Sequence, residues 1–299
     1  MAKLSSIRVH EVAPRDGLQD ESRFVPTETK LKFIAALASA GCRSIEITAF
    51  VNRKKIPQMA DAEELIRNLK PVEGVEYTVL VPNMRGLENA LKCGIKTSGT
   101  RNIAVFTAAT EDFSVRNIGM SVEQSLREFT EVIRTANAEG LSVRGYISTC
   151  FYDPFRHEKV GTKKVRKVAD KLFEIGCREV CLADTTGDAA PKDVYRLLHR
   201  IDPKMTALHF HDKNGEAIRN VRESIELGFN SFDSSAGGLG GCPMAPERAP
   251  GNIATENLIK FALDNGIITG IDPVKLTNAI RCIAPHVSKR LTTTCSTLA

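Results

Sequence analysis

The apolar positions of this 299-residue chain fall into two alternating patterns. Short runs rich in Val, Ile and other β-forming residues give way, after a polar loop, to longer stretches with apolar residues three and four apart, and those stretches end at Gly. The strand-like runs are Ile7 to Val12, Ser44 to Phe50, Glu76 to Val81, Asn102 to Phe106, Ser142 to Thr149, Glu179 to Ala183, Thr206 to Phe210 and Asn230 to Asp233. Helical spacing fills the intervals. From Thr29 to Ala40, Leu31, Ile34, Ala35 and Ala38 predict one buried face that Leu37 widens, and Gly41 stands where a left-handed C-terminal cap belongs. Gly94, Gly140, Gly176 and Gly228 repeat that punctuation, each shortly before a new run of β-formers.

Strands alternating with helices imply a parallel sheet. Eight such units favour closure into a (β/α)8 TIM barrel of the α/β class over an open doubly wound sheet. No GxGxxG follows the first strand and no GxxxxGK[ST] occurs, so the usual nucleotide signatures of open sheets are missing. The expected organisation is a single domain over residues 1–299, with the barrel from about residue 6 to about residue 270 and a short C-terminal helix and Thr-rich tail over about 271–299.

Composition changes this picture little. Hydrophobic residues make up 42% and charged ones 26%, which suits a packed globular core and excludes disorder. The net charge of +5 is scattered, with only short clusters such as Arg53-Lys54-Lys55 and Lys163-Lys164, so nucleic acid is not an expected partner and an anionic small substrate is. No apolar stretch approaches the roughly 20 residues needed to span a bilayer, so no membrane partner is expected. The eight cysteines form no CxxC pair, and no basic-then-apolar leader opens the chain. Free thiols and a cytoplasmic location follow as expectations.

A barrel of this kind carries its active site at the C-terminal ends of the strands, so the ionisable residues there carry the chemistry. The first strand is followed by Arg15-Asp16 and, three residues on, Gln19; the second carries Glu46; the sixth ends at Asp184; the seventh ends in His209-Phe210-His211. Residues two apart on a strand point the same way, so His209 and His211 can face one point at the mouth while Phe210 packs outward. Asp16 and Asn252 could add oxygen ligands. Two nitrogens and two oxygens suit six-coordinate Mg2+ or Mn2+ better than a closed thiolate zinc site, and the imidazoles leave Zn2+, Co2+ or Fe2+ open. Arg15 beside such a metal could stabilise an oxyanion or enolate. Glu46 and Asp184, among apolar neighbours, would be costly to bury ionised and unpaired, and so should orient a partner or relay a proton. Cys242 lies in a run with four glycines, a permissive loop on which a thiol could enter the site as proton donor or acceptor.

Several segments together resemble the 3-hydroxy-3-methylglutaryl-CoA lyase family, among the metal-dependent lyase and condensing-enzyme barrels. They are Glu11 to Gln19, Pro57-Gln58-Met59, Val143-Arg144-Gly145-Tyr146, Ala183-Asp184-Thr185, His209 to Asp212, Gly237 to Pro243 and Gly251 to Glu256. The glycine-rich loop ending in Cys-Pro separates the lyases of that group from its synthases. The resemblance implies Asp16, His209, His211 and Asn252 as metal ligands and Arg15, Glu46, Asp184, His209 and Cys242 as catalytic residues. It also implies that Arg15, Gln19, Arg144 and Tyr146 bind substrate. The implied reaction cleaves an acyl-CoA, 3-hydroxy-3-methylglutaryl-CoA, to acetyl-CoA and acetoacetate in leucine degradation and ketone-body formation, in a homo-oligomer that is a dimer or larger. Asp184, Glu46 and His209 remain open as acceptor of the C3 hydroxyl proton; Cys242 would protonate C2.

Two departures bear on the substrate. Arg248-Ala249-Pro250-Gly251-Asn252 stands where the family reads Gly-Ala-Ser-Gly-Asn, and the loop Phe151 to Arg156 lacks the usual small residues. They leave a lyase for citramalyl-CoA, giving acetyl-CoA and pyruvate, as an alternative. A condensing synthase would need a further regulatory domain, and a Schiff-base aldolase a strand-end lysine that is absent. An inactive barrel acting as a binding protein would show damage at key positions, and none is damaged.

Overall fold

The computed structural model describes residues 4–241, 250–288 and 291. Eight strands form the barrel: β1 (Arg8–Glu11), β2 (Ser44–Ala49), β3 (Glu76–Leu80), β4 (Thr100–Ala108), β5 (Ser142–Ser148), β6 (Glu179–Asp184), β7 (Thr206–Phe210) and β8 (Ser231–Ser234). All neighbours are parallel, and pairing of β1 with both β2 and β8 closes the sheet. The TIM barrel expected from the alternation is therefore present, with each strand end within two residues of its sequence-based position.

Ten helices among the described residues flank the strands. The first, α1 (Thr27–Ser39), buries Lys30, Phe33, Ile34, Leu37 and Ala38, so its inner face is rotated from the expected stripe and Ala35 faces solvent. The cause is Lys30. Its ammonium reaches Asp61 at 2.7 Å in the interior, so a cation occupies a position that a hydrophobic reading assigns outward. At the end of α1, Gly41 takes φ +101°, and any side chain there would strike the Gly270 carbonyl as the chain turns into β2. The other four glycines named for this punctuation also have positive φ.

Beyond the barrel, helix α10 (Pro273–Ile283) packs Leu276, Ala279, Ile280 and Ile283 inward and lies against α1, as expected for a C-terminal helix. The Thr-rich tail lies outside the described residues. One element had no sequence signal. The loop after β5 is a small antiparallel hairpin in which Tyr152–Asp153 pair with Glu158–Lys159, and the Asp153 carboxylate accepts from the amides of Phe155 and Arg156. No described helix is long and apolar enough to cross a membrane.

Candidate active site and metal centre

Register decides which side chains meet inside the barrel. His10 of β1 pairs with Asp233 of β8, Asp233 with His209 of β7, and His209 with Ala183 of β6. Parallel partners in register point to the same face, so His10, Asp233 and His209 share one inward level. Arg144 and Tyr146 of β5 turn in with them, since Arg144 reaches Asp233 and Tyr146 reaches Glu46.

At the mouth, the chain leaves β1 through a tight π-helical turn, Ala13–Gly17, opened by Pro14. This turn presents Arg15 and Asp16. It is held from behind by Glu11, which accepts from the Ala13 amide at 2.9 Å, the Ala236 amide at 3.0 Å and the Thr255 hydroxyl at 2.7 Å. One buried carboxylate thus fastens the Arg-Asp turn, the start of the glycine-rich loop and the first turn of α9 (Thr255–Asp264) together. Burial pushes the Glu11 carboxyl up to about 7 against the pull of those three hydrogen bonds. Glu256 adds a second fastening by accepting from the Gly237 amide at 3.0 Å.

Asp16, His209 and His211 each offer a ligand atom within 4.8 Å of the others, an arrangement that can hold a metal ion. Both imidazoles are oriented from behind. His209 places Nδ1 3.1 Å from Asp233 Oδ2, and His211 places Nδ1 2.7 Å from the Pro250 carbonyl oxygen. A ring nitrogen that donates to an oxygen leaves Nε2 with the lone pair, the form in which imidazole binds metals. Asn252 completes the group through an isolated bridge to His211. Its Nδ2 donates to Asp16 Oδ2 at 2.8 Å and to the Leu239 carbonyl at 3.1 Å, while its Oδ1 is buried with no hydrogen-bond partner among the described residues. A buried carbonyl oxygen left unpaired beside two imidazoles and a carboxylate is the donor that an oxygen-seeking divalent cation would satisfy.

Charge in the site is arranged around Arg15, which is 6% exposed. Its Nε donates to Glu46 Oε1 and its Nη1 to Asp16 Oδ1, the latter at 2.6 Å. Burial opposes this guanidinium's charge, but the two carboxylates outweigh it and keep Arg15 firmly protonated. In return Glu46, fully buried, is held below the ordinary carboxylate range because Arg15 offsets the cost of burial; the Tyr146 hydroxyl donates to its other oxygen at 2.9 Å. Asp16 is lowered in the same way, by Arg15 and then His209 acting against burial. Asp184 differs. It ends β6, accepts from the Ala189 amide at 3.1 Å through Oδ2, has an Oδ1 without a partner among the described residues, and is pushed by burial up to about 7.

The sequence-based candidates therefore divide by place. Arg15, Asp16, Glu46, His209, His211 and Asn252 meet in one constellation, with Tyr146 and Arg144 directly beneath it. Asp184 pairs with Phe210, so by register it stands on the face of the sheet opposite to His209. Gln19 is half-buried just past the Arg-Asp turn. Cys242 lies outside the described residues, as do Arg248 and Ala249; the approach to it, Gly237 to Gly241, is described. Gly240 there takes φ +114°, and a Cβ would sit 2.5 Å from Asn252 Nδ2, so the backbone passes against the ligand amide only because no side chain intervenes. Glu11, Asp233 and Glu256 were not singled out from sequence. A carboxylate at the C-terminal end of a barrel strand was the available signal for the first two.

The described cysteines are free thiols. Lys54 and Lys55 are exposed and Arg53 pairs with Glu63, a solvated basic loop.

Known proteins share this chain's sequence and fold. The family model described as HMGL-like matches residues 6–283. The mitochondrial hydroxymethylglutaryl-CoA lyase of Bos taurus is 40% identical over 288 residues, covering 95% of this chain and 86% of its own. The crystal structure of the Bacillus subtilis HMG-CoA lyase superimposes with a TM-score of 0.92 at 38% identity over 98% of both chains. An HMG-CoA lyase from Acinetobacter baumannii, solved with coenzyme A and 3-methylmalate, gives 0.87 at 34% identity over 94% of this chain and 90% of that one.

Proposed function

The chain belongs to the HMGL-like family, and from that premise we propose that it cleaves 3-hydroxy-3-methylglutaryl-CoA to acetyl-CoA and acetoacetate at the mouth of the barrel. The observation that carries this reading is the convergence of Asp16, His209 and His211 within 4.8 Å, with the unpaired Asn252 oxygen and the buried Arg15 beside them. Those four ligands would hold a divalent metal, for which the mixed imidazole and oxygen donors favour Mg2+ or Mn2+. When bound, such an ion supplies Lewis acidity that makes the C3 hydroxyl of a chelated 3-hydroxy acid a better proton donor.

The protein's own groups then divide the remaining work. Arg15, fixed on two carboxylates, presents a permanent positive charge to the thioester oxygen as carbon–carbon cleavage turns it into an enolate oxygen. Glu46 keeps that guanidinium in place. Glu46 is a poor proton acceptor, because Arg15 and Tyr146 already satisfy it; His209 is committed through Nδ1 to Asp233. Asp184, whose carboxyl burial brings near neutrality, is the group we assign to take the hydroxyl proton, which requires its side chain to turn from the Phe210 face of β6 to the mouth. Cys242 is assigned to return a proton to C2. Gln19 serves the acyl part, while Arg144 and Tyr146 act on the substrate from below through Glu46. The Acinetobacter relative's coenzyme A complex supports an acyl-CoA as substrate. Free buried thiols support a reducing, cytoplasmic setting. A homo-oligomer is proposed from the resemblance alone.

The test is release of acetoacetate from 3-hydroxy-3-methylglutaryl-CoA, and of pyruvate from citramalyl-CoA, with Mg2+ or Mn2+ before and after chelation. Turnover of the first, lost on chelation and restored by metal, is expected. Metal-independent turnover would refute the metal role; preference for citramalyl-CoA would replace the substrate, and cleavage of neither would remove both.

A further inference from the structure

Asp233 sits at the centre of the barrel, 2% exposed, and no part of the sequence pattern marks it for a role. Its two oxygens are divided. Oδ1 accepts from Arg144 Nη2 at 2.6 Å; Oδ2 accepts from His209 Nδ1 at 3.1 Å and lies 3.6 Å from Cys181 Sγ. The same guanidinium has Nε 3.0 Å from Glu179, an ion pair without hydrogen-bond geometry, and donates from Nη1 to the Tyr146 hydroxyl at 3.2 Å. That hydroxyl donates to Glu46, Glu46 holds Arg15, and Arg15 donates to Asp16. A continuous run of hydrogen bonds therefore leads from Asp16 to His209 through five intermediate side chains contributed by four of the eight strands or their ends.

We propose that Asp233 and Arg144 are positioning residues for the metal centre, with Asp233 fixing the His209 tautomer and ring angle and Arg144 locking Asp233. This rests on the reading of Asp16, His209, His211 and Asn252 as a metal site. A carboxylate can only accept, so it compels His209 to carry its proton on Nδ1 and to turn the Nε2 lone pair toward Asp16 and His211. An amide in its place has an NH2 that can only donate and an oxygen that can only accept. Arg144 offers only donors and would take the amide oxygen, which turns the amide NH2 toward Nδ1 and stabilises the opposite tautomer, with the proton on Nε2 where the metal would bind. The Tyr146 ring meets the His209 ring edge-on at 6.4 Å between centroids and limits any swing by which the imidazole could escape.

The experiment is Mn2+ binding to the metal-free protein, measured by calorimetry and by the decrease of the free-ion electron paramagnetic signal, for wild type, Asp233→Asn, Arg144→Lys and His209→Asn. Loss of an orienting partner of this kind weakens a metal by on the order of 10- to 100-fold. Asp233→Asn is expected to fall in that range while its unfolding remains cooperative. Arg144→Lys, which keeps the charge but loses the fork, is expected to fall about tenfold and carries the test if Asp233→Asn does not fold. Adding Asp233→Asn to His209→Asn should cost nothing further, since its effect passes through that ring. Unchanged affinity in Asp233→Asn or Arg144→Lys, or full additivity with His209→Asn, overturns the proposal. Failure of the wild type to bind Mn2+ overturns the metal site instead, so the two failures are distinct.

Discussion

Replacing Arg15 by Met should make the stability of this protein depend on pH in a direction that can be worked out in advance. The guanidinium is the counter-charge of Glu46, whose side chain has no exposure, and the substitution leaves that carboxylate with the Tyr146 hydroxyl at 2.9 Å and His10 Nε2 at 3.6 Å. Removing one partner of a buried pair costs about 3–5 kcal/mol when the other must stay charged. Glu46 has a way out, which is to take a proton. In the wild type Arg15 holds its pKa below the ordinary value against burial; in Arg15→Met burial acts without that opposition and raises it above the unfolded value. A carboxyl raised in the folded state is fully accommodated below its unfolded pKa and destabilises progressively as pH rises through the folded one. The deficit relative to wild type is therefore small near about pH 5 and grows toward about pH 8 by at most ~1.4 kcal/mol per unit. Urea unfolding of both proteins at the two pH values measures it. Arg15→Met combined with Glu46→Leu should recover most of the loss at the higher pH. A deficit equal at both pH values, or no recovery in the double variant, would refute the pairing. Catalysis should fall on the order of 100- to 1,000-fold at any pH, as for loss of one oxyanion donor.

Other substitutions probe neighbouring parts of the site. The acid limb of the kcat/KM profile should lie near about 7, with activity rising as Asp184 loses its proton, and should vanish in Asp184→Asn; a limb that survives there assigns the proton elsewhere. Tyr146→Phe leaves Glu46 and Arg144 each short of a partner and should cost about 1–3 kcal/mol in chemical denaturation, so a neutral result would contradict the bonds described. Gly240→Ala forces a left-handed φ and crowds Asn252, so Mn2+ affinity should fall along with about 1–3 kcal/mol of stability; retained affinity would show that the loop can yield.

Much of this was legible in the sequence because the signals are local. Period-two runs, glycines at helix ends and the His209-Phe210-His211 alternation each need only neighbouring residues to be read. Where the reading slipped, the deciding interaction was distant. Helix α1 buries Lys30 beside Phe33, and Lys30 is held there by Asp61 at 31 positions' remove, a partner that no hydrophobic pattern foresees. Arg144 read as a residue lining the barrel, yet its principal partner lies 89 residues along the chain. Glu11 belongs to a recognisable motif, but its function as a fastening for three segments depends on Ala236 and Thr255, which only closure of the barrel brings to it.

Closure of the barrel has a thermodynamic side as well. The sheet seals where β1 meets β8, and the groups that would grip a cation straddle that seam, Asp16 on one flank and His209, His211 and Asn252 on the other, with Asp16 and Asn252 joined across 236 positions. An ion bound by both flanks favours the sealed form over any opened one, by about 2.7 kcal/mol when present at a hundredfold excess over its dissociation constant. Metal supply would then set how long the seam stays shut as well as how fast substrate turns over. Starving the protein of its ion should first be felt as fraying between its earliest and latest strands, at a distance from any bond being broken.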